Sequence, residues 1–517
     1  RQSVLENHIH TVSFPELRPQ LILSQPPNQV ETPTRQPPMA TPTVAMLPFW
    51  GAGHLMSMID AGKRLLARSG GTLSLAVLVM QAPTENDMSE VAGHIRREEA
   101  SGLDIRFHHL PAVQPPTDCV GVEEFISRFV ELHADHVKAA ISALTCPVAA
   151  VVLDLFATTL LDVCRELEVP AYVYFTANAA SYALMLRLPS LHEEVTVEFE
   201  DMEGMVYLPG LPPVPPSSFP LPVMDKKNPN YTWFVYHCRR FVEADGVIIN
   251  TASVLEQSVL TAIADGRCTH GVPAPTVYPV GPVLSLSMTS RAEQPHECVR
   301  WLDAQPPASV VLLCFGSGGF STATQAHETA HGLERSGHRF LWVLRGPPVA
   351  GTQQPSDANL GELLPEGFLE RTKEKGLVWP RKAPQKEILA HAAVGGFVTH
   401  GGWNSILESL WYGVPVVPWP LYAEQHFNAF TLVAYMGPAV AMEVDRKRNN
   451  FVDASELERA VKALMDSDSD DGRKAREKAT EMKAACRKAV EEGGSSYSAL
   501  GRLYEDIHRG GAARTSQ

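Results

Sequence analysis

The chain contains no uninterrupted apolar stretch of 18 residues, the length a membrane-spanning helix needs, so no membrane insertion is expected. It is short of positive charge: 44 Lys and Arg stand against 58 Asp and Glu, for a net charge of −14. Phosphate backbones and anionic lipid surfaces are bound through basic faces, so neither nucleic acid nor a membrane surface is expected as a partner. Cysteine is sparse and dispersed. The eight residues at 119, 146, 164, 238, 268, 298, 314 and 486 form no CxxC pair and no CxxC/HxxxH spacing, which argues against zinc and fits a reducing compartment such as the cytoplasm. No Cys/His/Asp cluster has metal-ligand spacing, so no metal is expected. The opening residues lack the apolar h-region of a signal peptide. What is present is ordinary for a globular protein: 44% hydrophobic and 20% charged residues exclude wholesale disorder.

At 517 residues the chain is too long for one core, and two domains are the default. Residues 1–38, rich in Pro, Gln and Thr toward their end, read as a disordered extension outside the fold. From Met39 onward short apolar runs alternate with helical spacing. Thr43–Phe49, Leu73–Met80, Ile105–His109, Ala149–Leu153, Val169–Phe175 and Gly246–Asn250 read as strands. The 123–144 stretch reads as one amphipathic helix with Phe125, Phe129, Leu132 and Val137 on a face. Residues 208–223 hold seven prolines and read as an extended loop. After an aperiodic linker over 278–296 the pattern restarts, with strands at Val310–Phe315, Arg339–Val343, Gly395–Thr399 and Pro415–Pro418, and a Gly/Pro-rich loop over 345–360. Strands that are apolar throughout, alternating with helices, predict an α/β protein of two Rossmann-like, doubly wound parallel domains facing across a cleft. The boundaries are 39–285 and 286–495, with a last helix and tail over 496–517 packing back on the first domain. Ligands in such folds lie at the carboxyl ends of the strands.

Polar residues at those strand ends point to the chemistry. Thr399-His400-Gly401-Gly402-Trp403-Asn404-Ser405 ends a strand, turns on two glycines and starts a helix, with Asn404 and Ser405 at capping positions. A helix start of this kind suits a phosphate. Glu408 shares a face with Asn404 and Ser405, one turn on, placed to accept ribose hydroxyls; an ordinary capped helix gives the same pattern. Phe315-Gly316-Ser317-Gly318-Gly319 repeats the motif at a second strand end. In the first strand–helix turn, Gly51-Ala52-Gly53-His54 lacks the third glycine of a dinucleotide fingerprint, Met56 standing in its place, and the next strand ends at Gln81 without an acid. A nicotinamide enzyme is therefore disfavoured. His54 faces the cleft instead, and Asp154 ends another strand at the same edge; the two make either a general base with its orienting acid or a helix-terminal residue and a cap.

Residues 382–425, KAPQKEILAHAAVGGFVTHGGWNSILESLWYGVPVVPWPLYAEQ, resemble the 44-residue secondary-product box of plant family 1 UDP-glycosyltransferases. Similarity extends from Met39 to about residue 509. MATPTVAMLPFWGAGHLMS and VPAYVYFTANAASY are similar to grass flavonoid O-glucosyltransferases. The resemblance implies a GT-B fold, with the acceptor in the N-terminal domain and the UDP-sugar in the C-terminal one. It implies inverting, metal-independent transfer to a small phenol, with UDP-glucose as co-substrate, no cofactor, and a monomeric protein. Residue by residue, it implies His54 as base with Asp154 in support. His400, Asn404 and Ser405, with Ser317, would contact the diphosphate. Ala383 and Gln385 would sit beside the uridine, and Glu408 would bind the ribose. Trp403, Glu424, Gln425 and Thr176 would surround the sugar, Gln425 in the position the family associates with glucose, where His often goes with galactose. Lys382 stands where the family has a uracil-stacking Trp; Trp379, three residues earlier, is the alternative support. Phe49, Trp50, Phe125, Phe156 and Tyr182 are candidates for an aromatic acceptor pocket or for the core. Acceptors other than flavonoids, C-glycosylation, and a non-catalytic UDP-sugar or flavonoid carrier are the other readings.

Overall fold

Apolar runs bounded by turns build two sheets, each parallel throughout. The computed structural model describes residues 41–285, 295–349 and 354–515. The extension over 1–38 and residues 286–294 of the linker lie outside the described residues.

In the N-terminal sheet, β1 (Thr43–Leu47), β2 (Ser74–Val79), β3 (Ile105–His109), β4 (Val148–Asp154), β5 (Ala171–Phe175), β6 (Gly246–Ile249) and β7 (Thr276–Pro279) run in the order β3-β2-β1-β4-β5-β6-β7. β1 and β2 are buried at every position, as strands covered on both faces must be. The chain winds one way from β1 and the other way from β4. Crossovers leaving a shared edge in opposite directions open a crevice at the carboxyl ends. Leu47 pairs with Leu153, so the turn after β1 and Asp154 at the end of β4 lie side by side at that crevice.

The C-terminal sheet repeats the arrangement with β8 (Val310–Cys314), β9 (Arg339–Val343), β12 (Gly376–Trp379), β13 (Val394–Thr399) and β14 (Val416–Pro418) in the order β12-β9-β8-β13-β14. Its switch point lies between β8 and β13, where Thr399 pairs with Cys314, so the two glycine-rich turns emerge together. β10 (Arg345–Pro348) and β11 (Pro355–Asp357) form a separate antiparallel pair.

Several features depart from the sequence reading. The stretch read as a loop over 345–360 contains β10 and β11, edge strands β7 and β12 have no counterpart in the expected set, and β7 runs into the stretch read as a linker over 278–296. The single helix expected over 123–144 is two, Val122–Glu131 and Ala134–Ser142. The His133 ring shares a 2.9 Å hydrogen bond with the Phe129 carbonyl, one turn back, and the chain turns there; Leu132, assigned to the apolar face, is 51% exposed. The last helix, Ser495–Thr515, lays Leu500, Leu503 and Ile507 against a core that includes Tyr172, Tyr174 and Tyr278 of the N-terminal sheet. Tyr278 donates its hydroxyl proton to Asp506 on this helix.

Candidate active site

His54 sits in the first turn of helix Ala52–Ser69, directly after the β1 turn. Its Nδ1 donates to Asp154 Oδ2 at 2.8 Å. Asp154 is buried, and its other oxygen accepts the Phe156 N–H at 3.1 Å, so the carboxylate is fixed on both sides. The Phe156 ring lies nearly parallel to the imidazole at 5.9 Å, and Phe49 meets it edge-on at 5.3 Å. Nε2 is the nitrogen left for chemistry. Burial works against the imidazolium, but the Asp154 charge and hydrogen bond, with a contribution from Glu424, hold the His54 pKa above the ordinary value.

His54 lines a cavity of about 790 Å³ beside the N-terminal sheet. Phe49, Phe156, Phe175, Met185 and Phe234 give it an apolar wall. Pro220, Leu221 and Pro222, from the proline-rich stretch, close one side, and the Leu221 N–H bonds to the Ala423 carbonyl of the C-terminal half at 2.8 Å. Thr176 and Glu424 line the same cavity. Of the five candidate aromatics only Phe49 and Phe156 do; Trp50, Phe125 and Tyr182 belong to the core. Trp50 packs edge-on against Phe129 at 5.0 Å, Phe125 stacks on that same ring at 5.8 Å, and Tyr182 is enclosed by Phe175 and Phe241. On helix Val122–Glu131 it is Glu123 and Ile126 that face the cavity.

At the C-terminal switch point, the expectation that Asn404 and Ser405 cap a helix is corrected. Helix Trp403–Tyr412 has Gly402 at its N-cap and no side-chain cap, which puts Asn404 and Ser405 inside the first turn. A first turn without a side-chain cap keeps its N–H groups for another acceptor. The two glycine-rich turns clasp His400. A Cβ on Gly316 or on Gly402 would come within 2.6 and 2.5 Å of its Nε2, so both positions need glycine. Burial lowers the His400 pKa to about 4, leaving a neutral ring.

A second cavity of about 790 Å³ opens here, lined by Ser317, Lys382, Ala383, Gln385, Ser405 and Glu408 among others. Gln385 Nε2 donates to Ser405 Oγ at 3.0 Å and to Glu408 Oε2 at 2.7 Å. Burial raises the Glu408 pKa, against the Gln385 bond and the Lys386 charge. Lys63, Arg345 and Lys386 also line this cavity; as isolated basic residues they carry no sequence signal.

Other sequence-assigned residues stand elsewhere. The Trp403 indole is buried and donates to the Asn250 carbonyl at 2.7 Å, bolting the two halves together. Gln425 Oε1 accepts the Leu421 and Tyr422 N–H groups, and the residue is 2% exposed. Neither residue lines either large cavity. Asn404 Nδ2 donates 3.1 Å to the Gly53 carbonyl, so the phosphate-type helix start abuts the turn that carries His54. Lys382 lies 3.5 Å from Glu90 of the N-terminal half. The Trp379 ring is buried against His296, its Nε1 donates to the Lys382 carbonyl, and it lines not the cavity of Ser317 and Glu408 but a smaller pocket that Lys382 also lines.

Two doubly wound parallel sheets, with both switch points meeting at one cleft, define a GT-B glycosyltransferase fold. The chain matches the family description "UDP-glucoronosyl and UDP-glucosyl transferase" over residues 256–472. It is 65% identical to the malvidin galactosylase of Oryza sativa subsp. japonica over 481 residues, spanning 92% of this chain and 100% of that protein. It is 37% identical to the anthocyanidin 5,3-O-glucosyltransferase of a Rosa hybrid cultivar, spanning 90% of this chain and 98% of that one. The solved structure of a Phytolacca americana glycosyltransferase complexed with UDP-2fluoro-glucose and pterostilbene superposes with a TM-score of 0.80 at 34% identity, covering 90% of this chain and 100% of that chain. The chain belongs to the plant family 1 UDP-glycosyltransferases, and it is a glycosyltransferase.

Proposed function

We propose that this enzyme transfers a hexose from a UDP-sugar to a phenolic hydroxyl of a flavonoid, with inversion and without a metal. His54 acts as general base and Asp154 orients it. The cavity beside His54 takes the acceptor, and the cavity at Ser317, Gln385 and Glu408 takes the donor. One observation carries the reading. The His54–Asp154 pair stands on the wall of an aromatic cavity, while the turn holding it is hydrogen-bonded through Gly53 to Asn404 at an uncapped helix start. A base and an anion-binding helix start thus meet at one point.

The acceptor oxygen attacks the anomeric carbon as its proton passes to His54 Nε2. The bond from that carbon to the UDP oxygen breaks, and UDP leaves with the electron pair. Asp154 stabilises the imidazolium through Nδ1. The helix Trp403–Tyr412 start offsets the charge growing on the diphosphate, and the neutral His400 serves as hydrogen-bond partner rather than counter-charge. A phenol with pKa about 10 yields its proton to an imidazole more readily than an alcohol does.

Two readings of the hexose each rest on an observation. Gln425 favours glucose by the family pattern; the name of the rice relative favours galactose. In this structure the Gln425 side-chain oxygen is engaged by backbone and the residue lines neither cavity. The reading also carries a cytoplasmic monomer, in keeping with eight free thiols. The test is turnover of a flavonoid panel with UDP-glucose and with UDP-galactose, with and without EDTA, the product identified by mass spectrometry and its linkage by NMR. A β-linked O-hexoside formed equally in EDTA is expected. An α-linked product, or activity lost to EDTA and restored by Mg²⁺, contradicts the mechanism.

A further inference from the structure

Among the described side chains that hold a buried polar atom without a hydrogen-bond partner, Ser181 is the one that lines the acceptor cavity. The residue is 2% exposed. It lies in the first turn of helix Ala179–Glu194, where a serine ordinarily serves the helix start, but this start is already satisfied. Asn178 Oδ1 accepts the Ser181 N–H at 2.7 Å, and the buried Glu256 carboxylate accepts the Ala179 and Ala180 N–H groups at 2.9 and 2.8 Å. The Ser181 hydroxyl has no task in the helix. Phe175, Ala177, Met185 and Phe234 line the same cavity, and none of them offers a side-chain partner. The Tyr182 hydroxyl is also unpartnered, but it is sealed in the core and lines neither large cavity.

A hydroxyl buried without a partner in apolar surroundings is unfavourable, and alanine, present at positions 179, 180 and 183 of the same helix, would fill the space without that penalty. A polar group placed so is satisfied when a ligand brings the missing partner. We propose that Ser181 is a specificity-determining residue whose enclosed hydroxyl turns to the cavity when an acceptor binds and hydrogen-bonds a second acceptor oxygen, other than the one that reacts at His54. The cavity would then select aromatic acceptors that carry a second hydroxyl over those that lack it. This rests on the proposed acceptor role of the cavity. It goes further by assigning a recognition contact on the cavity wall.

The experiment compares wild type and Ser181→Ala on two acceptors with the same reactive phenol ring, one carrying a hydroxyl on the far ring and one carrying hydrogen there. Wild type should prefer the hydroxylated acceptor by about 5–30-fold in kcat/KM, the value of one buried hydrogen bond. In Ser181→Ala that preference should vanish, with the deoxy acceptor unaffected and the donor KM unchanged. Ser181→Thr, which keeps the hydroxyl, should retain part of it. Equal losses for both acceptors would assign Ser181 a structural role and overturn the proposal, as would an unchanged preference. Turnover of the deoxy acceptor by wild type tests the glycosyltransferase reading independently. If neither acceptor turns over, that reading fails for these phenols, and the ratio of acceptor Kd values in the two proteins still decides the Ser181 contact.

Discussion

The two cavities have the same volume, about 790 Å³, and different electrostatic character. The donor cavity mixes signs: Lys63, Arg97, Arg345, Lys382 and Lys386 stand among Glu90, Glu98, Glu387 and Glu408. The acceptor cavity is lined by Glu123, Glu200, Asp225 and Glu424 with no Lys or Arg, His54 being its one basic residue. A polyanionic nucleotide needs cations and helix N–H groups around it, whereas an aromatic acceptor needs apolar area and one base. Under the proposed assignment of donor and acceptor, the two cavities would separate the substrates by charge as well as by shape, with His54 where it feels both Asp154 and Glu424.

The sharpest way to break the comparison is at that residue. His54→Ala should lower kcat for phenols by about 10²–10⁴-fold, the usual contribution of a general base, while UDP binding measured by calorimetry stays close to wild type. Retained turnover would remove the base from the mechanism. Asp154→Asn carries a signed pH prediction. A base works when neutral, and Asp154 holds the His54 pKa above its ordinary value, so wild-type activity falls as pH drops through that raised pKa. Without the carboxylate charge the His54 pKa falls, and the acid limb of the kcat/KM profile should move to lower pH as the maximum rate declines. An acid limb that stays in place would mean that another group controls it.

The donor cavity responds next. Glu408 is half-buried, with its carboxylate held by Gln385. Hydrogen bonds to a charged group contribute about 1.5–3 kcal/mol, so Glu408→Ala should raise the donor KM by about 10–150-fold and leave the acceptor KM alone. Lys382→Trp should act in the other direction. Its pair with Glu90 is exposed, at 60% and 36%, and such pairs contribute about 0–1 kcal/mol. An aromatic face against uracil contributes about 1–3 kcal/mol. The exchange should lower the donor KM several-fold with kcat little changed, and Trp379→Ala should leave it where it was, because Trp379 does not line the larger cavity. A donor KM that rises in Lys382→Trp would show that the Lys382–Glu90 contact across the cleft matters more than stacking.

These tests concern residues the sequence exposes unevenly. Strands β1, β4, β8 and β13 are built largely of apolar residues, so their polar ends and the turns that follow, and with them His54, Asp154, Ser317 and the His400–Ser405 stretch, could be placed at the cleft from pattern. The edge strands β7 and β12 are only four residues each, too short to stand out from the loops around them. Aromatic side chains mislead for a different reason. Phe49 and Trp50 are neighbours in one turn, yet one lines the cavity beside His54 and the other packs into the core, and no periodicity separates them. Ser181 was invisible because its meaning lies in a partner it lacks, and that is legible only when every neighbour is in place. Lys382 was legible as a departure from the family, but its contact with Glu90 belongs to the other half of the molecule, 292 positions away in sequence.

The smallest expected effect bears directly on the comparison of the two cavities. Glu123 and Glu424 are half-buried beside the aromatic wall, and burial raises the pKa of each. Glu200 and Asp225 are exposed residues lining the same cavity. A carboxylate-bearing acceptor would bring a second negative charge close to this set with no Lys or Arg to receive it. At separations of several ångströms and an effective dielectric between protein and water, each such pair opposes binding by about 1 kcal/mol, or about five-fold. Three acceptors of one skeleton, bearing a carboxylate, a carboxamide or a quaternary ammonium at the far ring, should therefore rank by KM with the anion weakest and the cation tightest. Salt screens exposed charges more than buried ones, so 0.5 M NaCl should narrow the spread without abolishing it. The double change Glu123→Gln with Asp225→Asn should raise the standing of the anion by a few-fold and leave the neutral acceptor unmoved. If the three acceptors bind alike in wild type, the acidic lining plays no part in selection, and the contrast between the cavities reduces to shape and to the single base at its edge.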